Sequence, residues 1–127
     1  MDLRGTDFVY YQTGDIDRAI AFYRDTLGLE MYGYYEEVKW AEFNAGNATF
    51  AINDPTAFDP NAKAQSGGAA VAFGVDDVEA TMRELAAKGV SVTIPAIETP
   101  VCHFGCITDP DGNTIWIHCR KDGTCGD

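Results

Sequence analysis

The order of elements along this chain runs strand, helix, three strands, and then begins again. Phe8–Thr13 is a β-branched and aromatic run that reads as a strand. Asp15 is placed to cap a helix carrying Ile16, Ala19, Ile20, Tyr23 and Leu27 at helical spacing, and Gly28 stops it. Strand-like stretches follow at Leu29–Glu36, Val38–Asn44 and Ala48–Asn53. The second half repeats the pattern. Ala69–Val75 is a strand, and Asp76-Asp77 opens a helix striped by Val78, Met82 and Leu85, with Glu79 spaced to complete a capping box from Asp76. Gly89 ends that helix, and Ser91–Ile97, Cys102–Thr108 and Asn113–Arg120 are the last strands. Aligning Asp15 with Asp77 gives an offset of 77 − 15 = 62, and Gly28 with Gly89 gives 89 − 28 = 61. An internal repeat of a βαβββ unit constrains the fold more than any composition value does.

One such unit can cover only one face of its sheet with its single helix. Two units therefore imply an α+β fold: a curved eight-stranded mixed sheet, helices outside, and an inner face left free to bind something. The boundaries read as a first module over 1–54, a linker over 55–68, a second module over 69–120 and a polar, frayed tail over 121–127.

Twenty Asp and Glu against nine Lys and Arg give a formal charge of -11. That excess repels phosphate backbones and anionic lipid, which argues against nucleic-acid and membrane partners. The first residues carry no apolar segment of the secretory type, so a cytoplasmic location with reduced thiols is expected for Cys102, Cys106, Cys119 and Cys125.

The chain resembles the vicinal oxygen chelate superfamily, also called the glyoxalase/bleomycin resistance/dioxygenase family. The stretches that carry the resemblance are Gly14-Asp-Ile-Asp-Arg-Ala-Ile-Ala-Phe-Tyr-Arg-Asp-Thr-Leu-Gly28, Val75-Asp-Asp-Val-Glu-Ala80, Ala87-Lys-Gly-Val90 and Asp109-Pro-Asp-Gly-Asn113 before an apolar strand. It implies paired βαβββ modules, a cupped sheet, homodimerisation and, in many members, one divalent metal. The motif distances place the four metal-ligand positions on Phe8, Ala51, Ala70 and Trp116. Phenyl, methyl and indole groups offer a cation no lone pair, so neither a metal nor any other cofactor is expected there.

Strand alternation assigns the lining of the cup. Phe8 brings Tyr10 and Gln12; Ala51 brings Thr49 and Asn53; Ala70 brings Ala72 and Gly74; Trp116 brings His118. Cys102, Phe104 and Cys106 join them, while the phase of Trp40 stays open. The lining mixes aromatic, small and a few polar groups, as a site for a planar or apolar small molecule would. His118 is the candidate general base. A zinc site from Cys102, Cys106, Cys119, His103 and His118 is disfavoured, because residues four apart on a strand are ~13 Å apart. Asp109-Pro-Asp-Gly-Asn113 starts like a calcium loop, but Arg120 stands where the closing Glu belongs, so it reads as a hairpin turn.

Two functions follow. One is a metal-independent binding protein that sequesters an apolar or aromatic metabolite or antibiotic. The other is a glyoxalase-like lyase or isomerase working through His118 without the usual metal.

Overall fold

The computed structural model describes residues 1–2, 4 and 6–125. The chain divides into two compact units, Met1–Gln65 and Ser66–Asp127. In the first, β1 (Phe8–Gln12) leads into α1 (Ile16–Ala21), followed by β2 (Met31–Tyr35), β3 (Trp40–Asn44) and β4 (Thr49–Asn53). The second runs β5 (Val71–Gly74), α2 (Val78–Ala87), β6 (Ser91–Glu98), β7 (Cys102–Thr108) and β8 (Thr114–Arg120). The sheet orders are β1-β4-β3-β2 and β5-β8-β7-β6. In each, the first strand is parallel to the fourth and the other pairs are antiparallel. The expected α+β class with two βαβββ modules is what the chain adopts, its eight strands paired as two four-stranded sheets.

The repeat extends to single atoms. Asp15 accepts from the Arg18 N–H at 3.1 Å, and Asp77 accepts from the Ala80 N–H at 2.9 Å. Both helices exit through a left-handed glycine, Gly28 at φ 76° and Gly89 at φ 82°.

Each helix buries one stripe against its own sheet. Ile16, Ala19, Ile20, Phe22 and Tyr23 meet the sheet bearing Phe43, Phe50 and Ile52; the Tyr23 and Phe50 rings lie 4.7 Å apart. Val78, Met82 and Leu85 of α2 are buried like Ile107, Ile115 and Ile117 on β7 and β8, each such side chain contributing about 1.5–3 kcal/mol. Gly105 makes the close approach possible: a Cβ there would lie 2.8 Å from the Met82 thioether.

Two local readings need correction. The first helix keeps α geometry only to Ala21, and Phe22–Thr26 widens into a π turn, closed by the Leu27 N–H donating to the Phe22 carbonyl at 2.9 Å. Asp77, not Asp76, caps α2, and Glu79 accepts from His103 at 2.8 Å rather than completing the box. Past β4, Asp54 accepts from the Thr56 N–H and hydroxyl and caps a 3₁₀ turn, Pro55–Ala57, of which Pro55 is buried. Beyond β8, the Lys121 N–H donates to the Val101 carbonyl at 2.9 Å, and Arg120 reaches the Thr124 hydroxyl at 3.2 Å.

Candidate functional site

In the first unit, register decides which side chains share the face away from α1. Tyr10 lies beside Ala51 and Ala51 beside Glu42; Gln12 lies beside Asn53, Asn53 beside Trp40 and Trp40 beside Tyr35. Phe8 and Asn44 flank Thr49. Because Ala51 carries only a methyl, the rings of Tyr10 and Trp40 can meet from the strands either side of β4. They stack at 5.6 Å and 22°, and Phe8 stands nearly perpendicular to Trp40 at 5.5 Å. Phe8 and Tyr10 remain 46% and 41% exposed, a large apolar area for a face outside the core.

Polar groups fix these rings. The Trp40 indole N–H donates to Glu42 Oε1 at 3.0 Å. Gln12 donates to the Tyr10 hydroxyl at 3.1 Å and accepts from the Gln65 N–H at 3.0 Å, tying the phenol to the backbone beyond β4. Asn53 belongs to this row but spends its amide elsewhere. Its Nδ2 donates to the Val38 and Lys39 carbonyls at 2.9 and 3.1 Å, and the residue is 3% exposed. Ala51 is fully buried as the floor between Tyr10 and Glu42.

The second unit repeats the rows: Ala72 beside Trp116 beside Cys106, and Gly74 beside His118 beside Phe104. Trp116 and Phe104 stack at 4.9 Å and 27°. Cys106 is buried, and that burial pushes its thiol pKa up. Cys102 Sγ lies 3.1 Å from the Thr99 hydroxyl. Ala70 sits exposed just ahead of β5. Tail residue Cys125 covers Gly74, where a Cβ would fall 2.1 Å from its Sγ, which places that thiol in the row of His118.

His103 and Cys119 pair across β7 and β8 in the opposite phase, on the α2 side. The hydrogen bond from His103 holds the Glu79 carboxyl below its usual range. The cavity there, about 370 Å³, has Asp76, Asp77, Glu79, Arg120 and Lys121 in its lining and lies on the other side of the sheet from Trp116. Phase thus separates His103 and Cys119 from Cys102, Cys106 and His118. Among the described residues no three His, Cys, Asp or Glu side chains are grouped to hold a metal ion. The superfamily's divalent metal does not fit Phe8, Ala51, Ala70 and Trp116, none of which carries a donor atom in its side chain for it.

Tyr35 was not legible as a site residue, the phase of Trp40 stayed open, and Glu42, on a middle strand, could be placed only at the rim of the cup. The signal was the hairpin at Ala45-Gly46-Asn47, whose pairing of Asn44 with Thr49 carries Glu42 to Ala51 and Trp40 to Asn53.

Two βαβββ units repeating one strand order, each with its helix on a single sheet face, define the paired-module class of α+β proteins. The chain belongs to the glyoxalase/bleomycin resistance protein/dioxygenase superfamily, which matches over residues 5–117. A protein of Vibrio parahaemolyticus serotype O3:K6 (strain RIMD 2210633) named "Probable lactoylglutathione lyase" is 26% identical over 136 residues, spanning 91% of this chain and 90% of its own. A crystal structure of a glyoxalase family protein from Bacillus anthracis superposes with a TM-score of 0.77 at 27% identity, covering 95% of this chain and 98% of that one. TnmS3, an antibiotic binding protein from Streptomyces sp. CB03234, superposes with a TM-score of 0.77 at 22% identity, over 95% and 99% of the two chains. No helix among the described residues is long and apolar enough to cross a membrane.

Proposed function

We propose that the protein is a metal-independent small-molecule-binding protein of the glyoxalase/bleomycin resistance type, sequestering an apolar or aromatic metabolite or antibiotic. The observation that carries this reading is the joined Phe8–Tyr10–Trp40 ring surface, part-exposed on the face its own helix leaves free. The stacked Phe104–Trp116 pair supplies its counterpart in the second unit. The shared fold of the Streptomyces antibiotic binding protein supports the class of activity. A homodimer, supported by the family resemblance, and a cytoplasmic location are part of the same proposal.

A second reading, a lyase or isomerase without the usual metal, draws support from the name of the Vibrio relative and from His118 lying in the row beside Trp116. One experiment separates the two. Native mass spectrometry of the purified protein should identify a bound aromatic molecule. Trp40→Ala should then weaken its binding by about 2–4 kcal/mol, the range for a central aromatic anchor. His118→Gln should leave affinity nearly unchanged in a sequestering protein, whereas an enzyme using that imidazole as base would lose turnover about 100-fold. If both Trp40→Ala and Trp116→Ala bind as the parent does, neither ring surface is the site.

A further inference from the structure

The ring surface of the first unit contains one formally charged group, and among the described residues no cation pairs with it. Glu42, on β3, lies beside the Ala51 floor and two residues from Trp40. Its Oε1 accepts the Trp40 indole N–H at 3.0 Å, while Oε2 has no partner among the described residues. The other members of the face are Phe8, Tyr10, Gln12, Tyr35, Asn44, Thr49 and Asn53, all uncharged. The nearest cation in sequence, Lys39, is turned to Asp54 at 3.8 Å.

Resting on the reading of this face as a ligand site, we infer that its ligand is a cationic aromatic amine: the ring lies on Tyr10 or Trp40 and the ammonium meets Glu42. Three pieces of chemistry converge on that class. Aromatic faces carry negative potential, and beside Trp40 the rings of Tyr10, stacked on it, and Phe8, perpendicular to it, stay part-exposed as π surface. The carboxylate beside them turns that surface from one that accepts any planar molecule into one that prefers a positive charge. The indole bond holds Glu42 in place before the ligand arrives, so less conformational freedom is lost on binding. The formal charge of -11 attracts cations over a longer range and repels anionic aromatics.

The test uses three probes with one ring system: naphthylmethylammonium, naphthylmethanol and naphthoate. Titration of the full chain is followed by calorimetry and by the Trp40 indole N–H resonance. The ammonium probe should bind about five- to tenfold more tightly than the alcohol, and naphthoate more weakly than either. At about 1 M salt, where the screening length is ~3 Å, the ammonium's advantage should shrink while the alcohol's affinity holds. Glu42→Gln keeps an acceptor for the indole and removes the charge, so the ammonium should fall to the alcohol's affinity. Equal binding of ammonium and alcohol to the unaltered protein overturns the charge preference but leaves the face a ligand site. So does an ammonium advantage that survives Glu42→Gln, or naphthoate binding as tightly as the amine. Failure of all three probes to move the Trp40 signal overturns both this inference and the ring-surface reading beneath it.

Discussion

Asn53→Ala separates a structural amide from a ligand contact at the one position where strand phase and hydrogen bonding point in different directions. By register Asn53 belongs to the row of Gln12 and Trp40. By geometry its Nδ2 holds the Val38 and Lys39 carbonyls, and Lys39 sits in the left-handed region at φ 47° without being glycine. Removing the amide deletes two neutral hydrogen bonds, each worth about 1 kcal/mol net. The Lys39 carbonyl still accepts the Asp54 N–H at 3.1 Å, so Val38 is the carbonyl that loses its partner. A total of about 2 kcal/mol follows. With about 2.1 cal/mol/K of unfolding entropy per residue, that lowers the melting temperature by roughly 7 °C if the chain unfolds as one. Asn53→Asp should be worse than alanine, because it sets carboxylate oxygens against two carbonyl oxygens. Those neighbours favour the protonated carboxyl and raise its folded pKa, so the deficit should grow with rising pH and ease in acid. Urea and thermal unfolding measure both variants, and calorimetry with naphthylmethanol measures the face. The expected result is lost stability with affinity retained well below the melting point. A melting temperature within about 1 °C of the parent, or an aspartate variant no worse than alanine, would refute the reasoning.

Two further perturbations test the second unit. Gly105→Ala should destabilise by about 1–3 kcal/mol, because its Cβ would meet Met82 Cε and Sδ at 2.8 Å in a buried site. Combining it with Met82→Ala should cost less than the sum of the two single changes, read from a urea double-mutant cycle; strict additivity would deny the contact. Cys106 should alkylate last among the four thiols in the native protein at neutral pH, with exposed Cys125 first, by peptide mapping. Because burial raises the folded Cys106 pKa above the ordinary 9.0, its contribution to stability is intact below 9.0 and declines as pH rises past it, where the unfolded thiol ionises and the folded one does not. Labelling of Cys106 as fast as Cys125 would show that β7 does not bury it.

What could be read from the sequence was whatever depends on near neighbours. The cap at Asp15, the left-handed exits at Gly28 and Gly89, and the Asp109 turn, in which one carboxylate accepts the Asp111 and Asn113 N–H groups at 3.0 and 2.8 Å, are all local interactions. The π turn at Phe22–Thr26 escaped because one residue of widening hardly disturbs an apolar stripe over so short a segment. Glu79 fits a capping box by spacing, yet a partner 24 residues away, His103, holds it instead. Trp40 needed the β3–β4 register before its phase could be known.

Alternation along a strand places a side chain on a face, but it does not say whether its polar groups are free for a ligand. Asn53 and Glu42 show both outcomes. Each carries one sidechain carbonyl or carboxyl function and each borders Trp40 or Ala51, so strand phase alone would rank them together. Asn53 can donate, and the carbonyls freed where β3 begins after a left-handed turn consume that capacity; its burial follows. Glu42 can only accept as a carboxylate, and the Trp40 indole N–H, from the neighbouring row, engages one of its two oxygens. A surface carboxylate would leave its second oxygen to water without comment. Here the oxygen lies beside part-exposed aromatic rings, where an ammonium attached to an apolar body can satisfy charge and cover the rings in the same pose, and a water molecule can do only the first.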